Sequence, residues 1–153
     1  MTPRDYPGMN DIVDAYPDVA VLAFPCNQFL RQENITDGEI RNALKYVRPG
    51  GGFEFKGHLF AKCEVNGAGA LPLWHWLRAA KPTPEGCSDE DASTMFVSHD
   101  RVCWGPVTRA DIEWNFTKWL VGKDGRVLHR FHKSVPSNAA VIREAIDAAL
   151  SAQ

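Results

Sequence analysis

The chain has 153 residues, 44% of them hydrophobic and 24% charged, with a net charge of −2. That length supports one domain with a real core and is too short for two ordinary ones. The small negative charge gives no reason to expect nucleic acid or an anionic membrane as a partner, and no apolar run approaches the length of a membrane span.

Met9, Ile12, Val13 and Tyr16 form one stripe of a helix predicted from Arg4 to Tyr16, with Pro17 as its stop. Val19 to Phe24 reads as a short buried strand ended by Pro25. Thr36-Asp37-Gly38-Glu39 is a capping box, and the helix it opens carries Ile40, Ala43, Leu44 and Val47 on one face. Arg48-Pro49-Gly50-Gly51-Gly52 ends that helix. Phe55 to Phe60 reads as a short extended piece, and Val65 to Gly69 as a turn.

Pro72 suits a first helical turn, so Leu71 to Ala80 reads as a helix carrying Leu73, Trp74, Trp76 and Leu77. Lys81 to Ser93, rich in Pro, Glu, Asp and Ser, reads as a surface loop. Trp114 to Val121 and Arg126 to Phe131 flank Gly122-Lys123-Asp124-Gly125 and predict a β-hairpin. Ser137 is the expected cap of a last helix with Val141, Ile142, Ala145, Ile146, Ala149 and Leu150 on its buried face. Together these make a single α/β domain with an antiparallel half.

Four cysteines, Cys26, Cys63, Cys87 and Cys103, are scattered without a Cys-x-x-Cys pair, which predicts reduced thiols and no zinc site. His129 and His132, three apart in an expected strand, point to opposite faces and do not help a metal. The start, Met-Thr-Pro-Arg-Asp, carries no signal-peptide pattern.

The densest chemistry lies in Phe24-Pro25-Cys26-Asn27-Gln28-Phe29-Leu30-Arg31-Gln32-Glu33-Asn34. The loop past a strand's carboxyl end is where open α/β sheets build sites. Its neutral amides cannot exchange a proton near neutral pH, but they can hold a charged or polar group. The stretch therefore reads as the supporting half of a site. The first strand also lacks a crossover partner, because only a helix precedes it, and right-handed β-α-β logic asks for a strand before Met1.

Five motifs in order resemble the glutathione peroxidases, specifically their tetrameric, selenocysteine-containing branch. They are Arg4-Asp5-Tyr6, Phe24 to Phe29 with Gln32-Glu33-Asn34, Lys45 to Phe53, Cys63 to Gly69, and Trp114-Asn115-Phe116 followed by Lys118. The resemblance implies a thioredoxin-like fold of glutathione peroxidase type, here expected to lack its N-terminal hairpin and first central strand. It also implies that the selenocysteine nucleophile falls just upstream of Met1. UGA encodes selenocysteine and is ordinarily read as stop, so a gene reading that restarts at the next methionine would begin there.

The reaction implied is reduction of hydrogen peroxide or organic hydroperoxides with glutathione as co-substrate and no bound cofactor. Gln32, Trp114 and Asn115 match the family's catalytic partners, two amides and an indole N–H that lower the nucleophile's pKa and polarise the leaving oxygen. Arg4 and Arg48 match positions credited with holding the carboxylates of glutathione. The blander reading makes Trp114 core and the arginines solvated charges. Gln28 and Asn27 read as loop scaffolding, Cys26 as a structural thiol, and Cys87 and Cys103 as incidental.

Three departures from the family pattern stand out: Leu30 replaces a usual glycine, Thr36 a lysine, and Lys133-Ser134 an arginine pair. The loss of positive charge predicts weaker glutathione specificity. Asn34 to Arg48 contains no resolving cysteine, which points away from an intramolecular disulfide mechanism. The Pro-Gly-Gly-Gly-Phe turn and the segment from Ala70 to Val107 resemble oligomerisation elements and imply a homotetramer. The cytosol is the default compartment, with secretion left open. Taken literally, these residues hold no peroxidatic group and are expected to be inactive by themselves. The alternative is a catalytically dead, shortened paralogue acting as a binding or assembly partner.

Overall fold

A computed structural model describes residues 1–87 and 102–152. Helix α1 runs over Thr2–Ala15 and β1 over Leu22–Ala23, followed by α2 (Asp37–Tyr46), β2 (His58–Leu59) and α3 (Pro72–Ala80). The hairpin strands β3 (Lys118–Val121) and β4 (Val127–Phe131) come next, then α4 (Ala140–Ser151). The order of elements is the one read from the sequence. The second half of the Lys81–Ser93 loop and most of its continuation toward Val107 lie outside the described residues.

Several local expectations hold at the level of single bonds. The Thr36 N–H and hydroxyl both donate to Glu39 Oε2, at 2.8 and 2.7 Å, completing the capping box. Pro72 opens α3 in its first turn. The hairpin closes through Gly122 N–H to Arg126 O and Gly125 N–H to Gly122 O. Gly57 has no room for a side chain, since a Cβ there would lie 2.7 Å from Val21 O, so it lets β2 approach β1.

Other expectations need correction. Helix α1 starts two residues early because the N–H groups of both Arg4 and Asp5 bond to Met1 O. The strand expected over Val19–Phe24 is only two residues long, and Leu22 is 50% exposed rather than buried. Among the described residues its one neighbour is β2, in parallel register Leu22 to His58, so pairing on the other edge does not extend it. The hairpin's first strand begins at Lys118, not Trp114, because Trp114 to Thr117 form a turn. Ser137 does not cap the last helix. Ala139 does, and the Ser137 hydroxyl donates to Asp5 Oδ1 at 2.8 Å. Val47 and Val141, placed on buried stripes by spacing, are 76% and 48% exposed.

Three apolar clusters form the interior. One centres on Phe29, Val65, Trp74, Leu77 and Ile112; another on Ile12, Phe131, Ile142 and Ile146; the third on Tyr6, Ile40, Leu44 and Phe55. Among the described residues the two sheets do not join. β1 with β2 and β3 with β4 are separate two-stranded ladders. A cavity of about 1290 Å³ is lined by Asp18 to Pro25 on one side and Trp114 to Lys123 on the other.

Candidate active site

The loop after β1 is built by side chains gripping backbone. Gln28 is buried; its Oε1 accepts the N–H groups of Val65 and Asn66, both at 3.0 Å, and its Nε2 donates to Asn66 O. Asn66, fully buried, passes the link on: Oδ1 accepts Ile112 N–H at 2.8 Å and Nδ2 donates to Ile112 O at 2.9 Å. Two amides thus tie Phe24–Asn34 to Val65–Gly67 and to the strip that precedes Trp114. Gly67, at φ +74°, turns the middle segment where a Cβ would meet Gly105 O at 2.9 Å.

Gln32 is placed by a second set of bonds. Asn27 Oδ1 accepts Glu33 N–H at 2.9 Å and Asn27 Nδ2 donates to Asn34. Lys62 Nζ donates to the carbonyls of Glu33 and Ile35, at 2.9 and 2.7 Å. Leu30 and Arg31 take φ values of 54° and 51°, which swing the loop outward. Asn27 and Gln28 are therefore scaffolding, as their composition suggested. Lys62 escaped the sequence reading, since it stands one position before the Cys63–Gly69 motif and belongs to none of those noted.

The opposite wall begins at a buried ionic knot. Asp111 holds Arg78 at 2.5 Å, Trp104 Nε1 at 2.8 Å and the hydroxyl of Thr108 at 2.8 Å. Glu113 accepts Arg130 Nη2 at 2.9 Å and the Thr117 hydroxyl at 2.8 Å. Trp114 packs on Phe29 with ring centroids 5.7 Å apart, so it is half core, half cavity wall. Phe116, at φ 62°, sets its ring edge-on to Tyr6 at 5.7 Å.

These two walls meet at one bond. Asn115 Nδ2 donates to Gln32 Oε1 at 3.2 Å, at an exposed position on the cavity. Gln32, Trp114, Asn115 and Arg48 all line that cavity, together with Met1 and Thr2 at the N-terminal turn of α1. A helix N-terminus favours an anion. Arg4 is not part of this wall. Its guanidinium donates to Lys133 O at 2.7 Å and Ser134 O at 3.3 Å and pairs with buried Asp5.

Lys118 reaches the carbonyls of Val135 and His132 and lies 3.6 Å from Asp5 Oδ1. Burial pulls its pKa down to about 8, against the opposing charge of Asp5. Cys26 also lines the cavity. Burial raises its thiol to about 11, and its sulfur accepts Gln28 N–H, so it is a neutral structural thiol near pH 7. Among the described residues no cluster of metal-ligating side chains occurs, and Cys26, Cys63 and Cys103 are free thiols.

The glutathione peroxidase family model matches residues 1–78. Glutathione peroxidase 1 of Sus scrofa is 52% identical over 134 residues, covering 86% of this chain. The chain belongs to the glutathione peroxidase family. The Oryctolagus cuniculus glutathione peroxidase 1 is 47% identical over 138 residues, covering 89% of this chain and 67% of its own. The crystal structure of Trgpx in apo form superposes with a TM-score of 0.61 at 25% identity, over 97% of this chain and 71% of that one. The α/β fold is thus the thioredoxin-like fold of glutathione peroxidases. The chain spans 63% of the length of the Sus scrofa relative.

Proposed function

We propose that the cavity end at Gln32 and Asn115 is a peroxidase site, at which glutathione reduces hydrogen peroxide and organic hydroperoxides to water and alcohols. One observation carries the reading: Gln32 and Asn115, 83 positions apart, are hydrogen-bonded where the two walls meet in a glutathione peroxidase family member. The peroxidatic group proposed is selenocysteine, whose selenolate supplies nucleophilic attack on the O–O bond when present.

The residues fit such a group. Asn115 and Gln32 carry side-chain N–H₂ donors and Trp114 an indole N–H, all three neutral, so they stabilise an anion without adding charge. Glu33 is the one carboxylate in the loop. Partial burial raises its pKa, opposed by Lys62, which lessens its repulsion of an anion. Cys26 is an inert neighbour rather than a substitute. Residues 34–48 hold no cysteine that could resolve an oxidised intermediate within the chain.

Arg48 is exposed on the cavity and free to meet a glutathione carboxylate. Arg4 would first have to release the carbonyls of Lys133 and Ser134, which deepens the expectation of weak glutathione specificity. A homotetramer is part of the proposal, supported by Tyr46 and Val47, exposed beside the Pro49–Phe53 turn. Nothing in the fold or the relatives favours an inactive assembly partner instead.

The test is a glutathione reductase-coupled assay on selenium-containing protein. Hydroperoxide turnover that rises almost linearly with glutathione is expected. Absence of turnover would contradict the function, and a saturating, low-KM response would contradict the weak specificity.

A further inference from the structure

Gln32, Trp114 and Asn115 can hold an anion at the cavity end, but none of them gives up a proton near neutral pH. The proposed reaction needs a proton there, because breaking the O–O bond leaves a charged electron pair on the departing oxygen. Burial holds the Cys26 thiol at about 11, and burial together with the charge of Glu33 holds the Tyr6 hydroxyl at about 12. Arg31 and Arg48 keep their protons at any ordinary pH. Lys118 is taken up by the carbonyls of His132 and Val135 and by Asp5. Asp18 stands before β1 and Lys123 after β3, whereas Gln32 follows β1 and Asn115 precedes β3.

Glu33 remains. It follows Gln32 directly, lines the same cavity and is half-buried. Its backbone is fixed from both sides: Asn27 Oδ1 accepts its N–H at 2.9 Å, and Lys62 Nζ donates to its C=O at 2.9 Å. Those are its hydrogen bonds among the described residues, so the carboxyl is committed to no partner. Two groups from other elements face it, Tyr6 of α1 and Lys62 in the strip after β2. Burial raises its pKa above the usual carboxylate range, and Lys62 opposes that rise through its charge.

Building on the peroxidase reading, we propose that Glu33 is the general acid of this site, giving its carboxyl proton to the oxygen that departs when the O–O bond breaks. The distal oxygen, with its hydrogen, bonds to the nucleophile. The departing oxygen takes the electron pair of the broken bond and the Glu33 proton, and leaves as alcohol or, from hydrogen peroxide, as water. The thiol proton of the first glutathione leaves with the transferred hydroxyl as water. The thiol proton of the second returns to Glu33 as the glutathione disulfide forms and the nucleophile regains its electron pair. One hydroperoxide and two thiols thus yield one alcohol, one water and one disulfide, with Glu33 back in its acid form. Gln32 and Asn115 hold the developing charge, and Glu33 removes it.

Two measurements test this. In the full chain, isotope-labelled at its glutamate carboxyls, NMR follows each carboxyl through a pH titration, and Glu33→Gln identifies the Glu33 signal. Glu33 is expected to titrate above the ordinary glutamate range and Glu39, which accepts bonds from Thr36, below it. Stopped-flow oxidation of the selenium-containing protein by hydroperoxide supplies the second. The wild-type rate constant is expected to fall as pH rises through the Glu33 pKa, since the acid form is the active one. In Glu33→Gln that fall is lost and the rate constant on its low-pH side drops by about 10²-fold. Glu33→Asp, which keeps an acid, restores the fall. A Glu33 carboxyl titrating at or below the ordinary range overturns the inference. So does a Glu33→Gln variant with the wild-type rate and pH profile, which would make water the proton source. Both results leave the peroxidase reading intact, whereas a wild type without turnover overturns that reading and the inference together.

Discussion

Asn66 holds the backbone of Ile112 at both its N–H and its C=O, through one side-chain amide with no solvent exposure. It is itself gripped by Gln28, so the two loops carrying Gln32 and Asn115 share a buried hinge pin. Replacing Asn66 with Ala strands one buried donor and one buried acceptor, each worth about 1–3 kcal/mol. Urea unfolding of Asn66→Ala is expected to show a loss of about 2–5 kcal/mol relative to wild type. A change below half a kilocalorie would mean that water replaces the amide freely.

Leu30 is a second local test. It occupies the left-handed region at φ 54°, where a side chain costs about 1–2 kcal/mol. It is also 41% exposed, so trimming it removes little burial. Glycine there relieves the strain but adds about 0.5–1 kcal/mol of unfolded-state entropy. The Leu30→Gly variant is therefore expected to gain about 0.5–1 kcal/mol, read as a higher urea midpoint at unchanged m-value. A lower midpoint would show that the Leu30 side chain contributes packing that outweighs its backbone.

Alkaline stability isolates Lys118. Its folded pKa of about 8 lies below the unfolded value of 10.5, so above pH 8 the unfolded chain binds the extra proton and stability rises with pH. Cys26, raised from 9.0 to about 11, and Tyr6, raised from 10.0 to about 12, act the other way, each losing stability above its unfolded value. A rise from pH 8 to 9, a plateau to about 10 and a fall beyond follow from the three together. In Lys118→Met the rise disappears while the fall remains. An unchanged rise in that variant would assign it to another group.

The capping box, the hairpin turn and the amide-rich loop were legible in the sequence because each is a local device whose partners lie within a few positions. Trp114 and Asn115 were legible only through motif likeness, whereas Gln32 also stood out among the amides of its loop, and the structure joins Gln32 to Asn115 by one hydrogen bond. What escaped were pairings at long range. Ser137 looked like a helix cap but sits 132 positions from its partner Asp5, and Arg78 finds Asp111 33 positions on. Neither has a periodicity to read. The short β1 escaped for a related reason. An apolar run shows that a segment can be buried, while strand length depends on which neighbours pair with it.

The proposed site requires the Gln32–Asn115 pair to act on the peroxide step. Stopped-flow measurement on the selenium-containing protein separates oxidation by hydroperoxide from reduction by glutathione. In Asn115→Ala the hydroperoxide rate constant is predicted to fall by about 10²-fold, the usual loss for one preorganised donor, with the glutathione step unchanged. A hydroperoxide rate constant equal to that of wild type would contradict it.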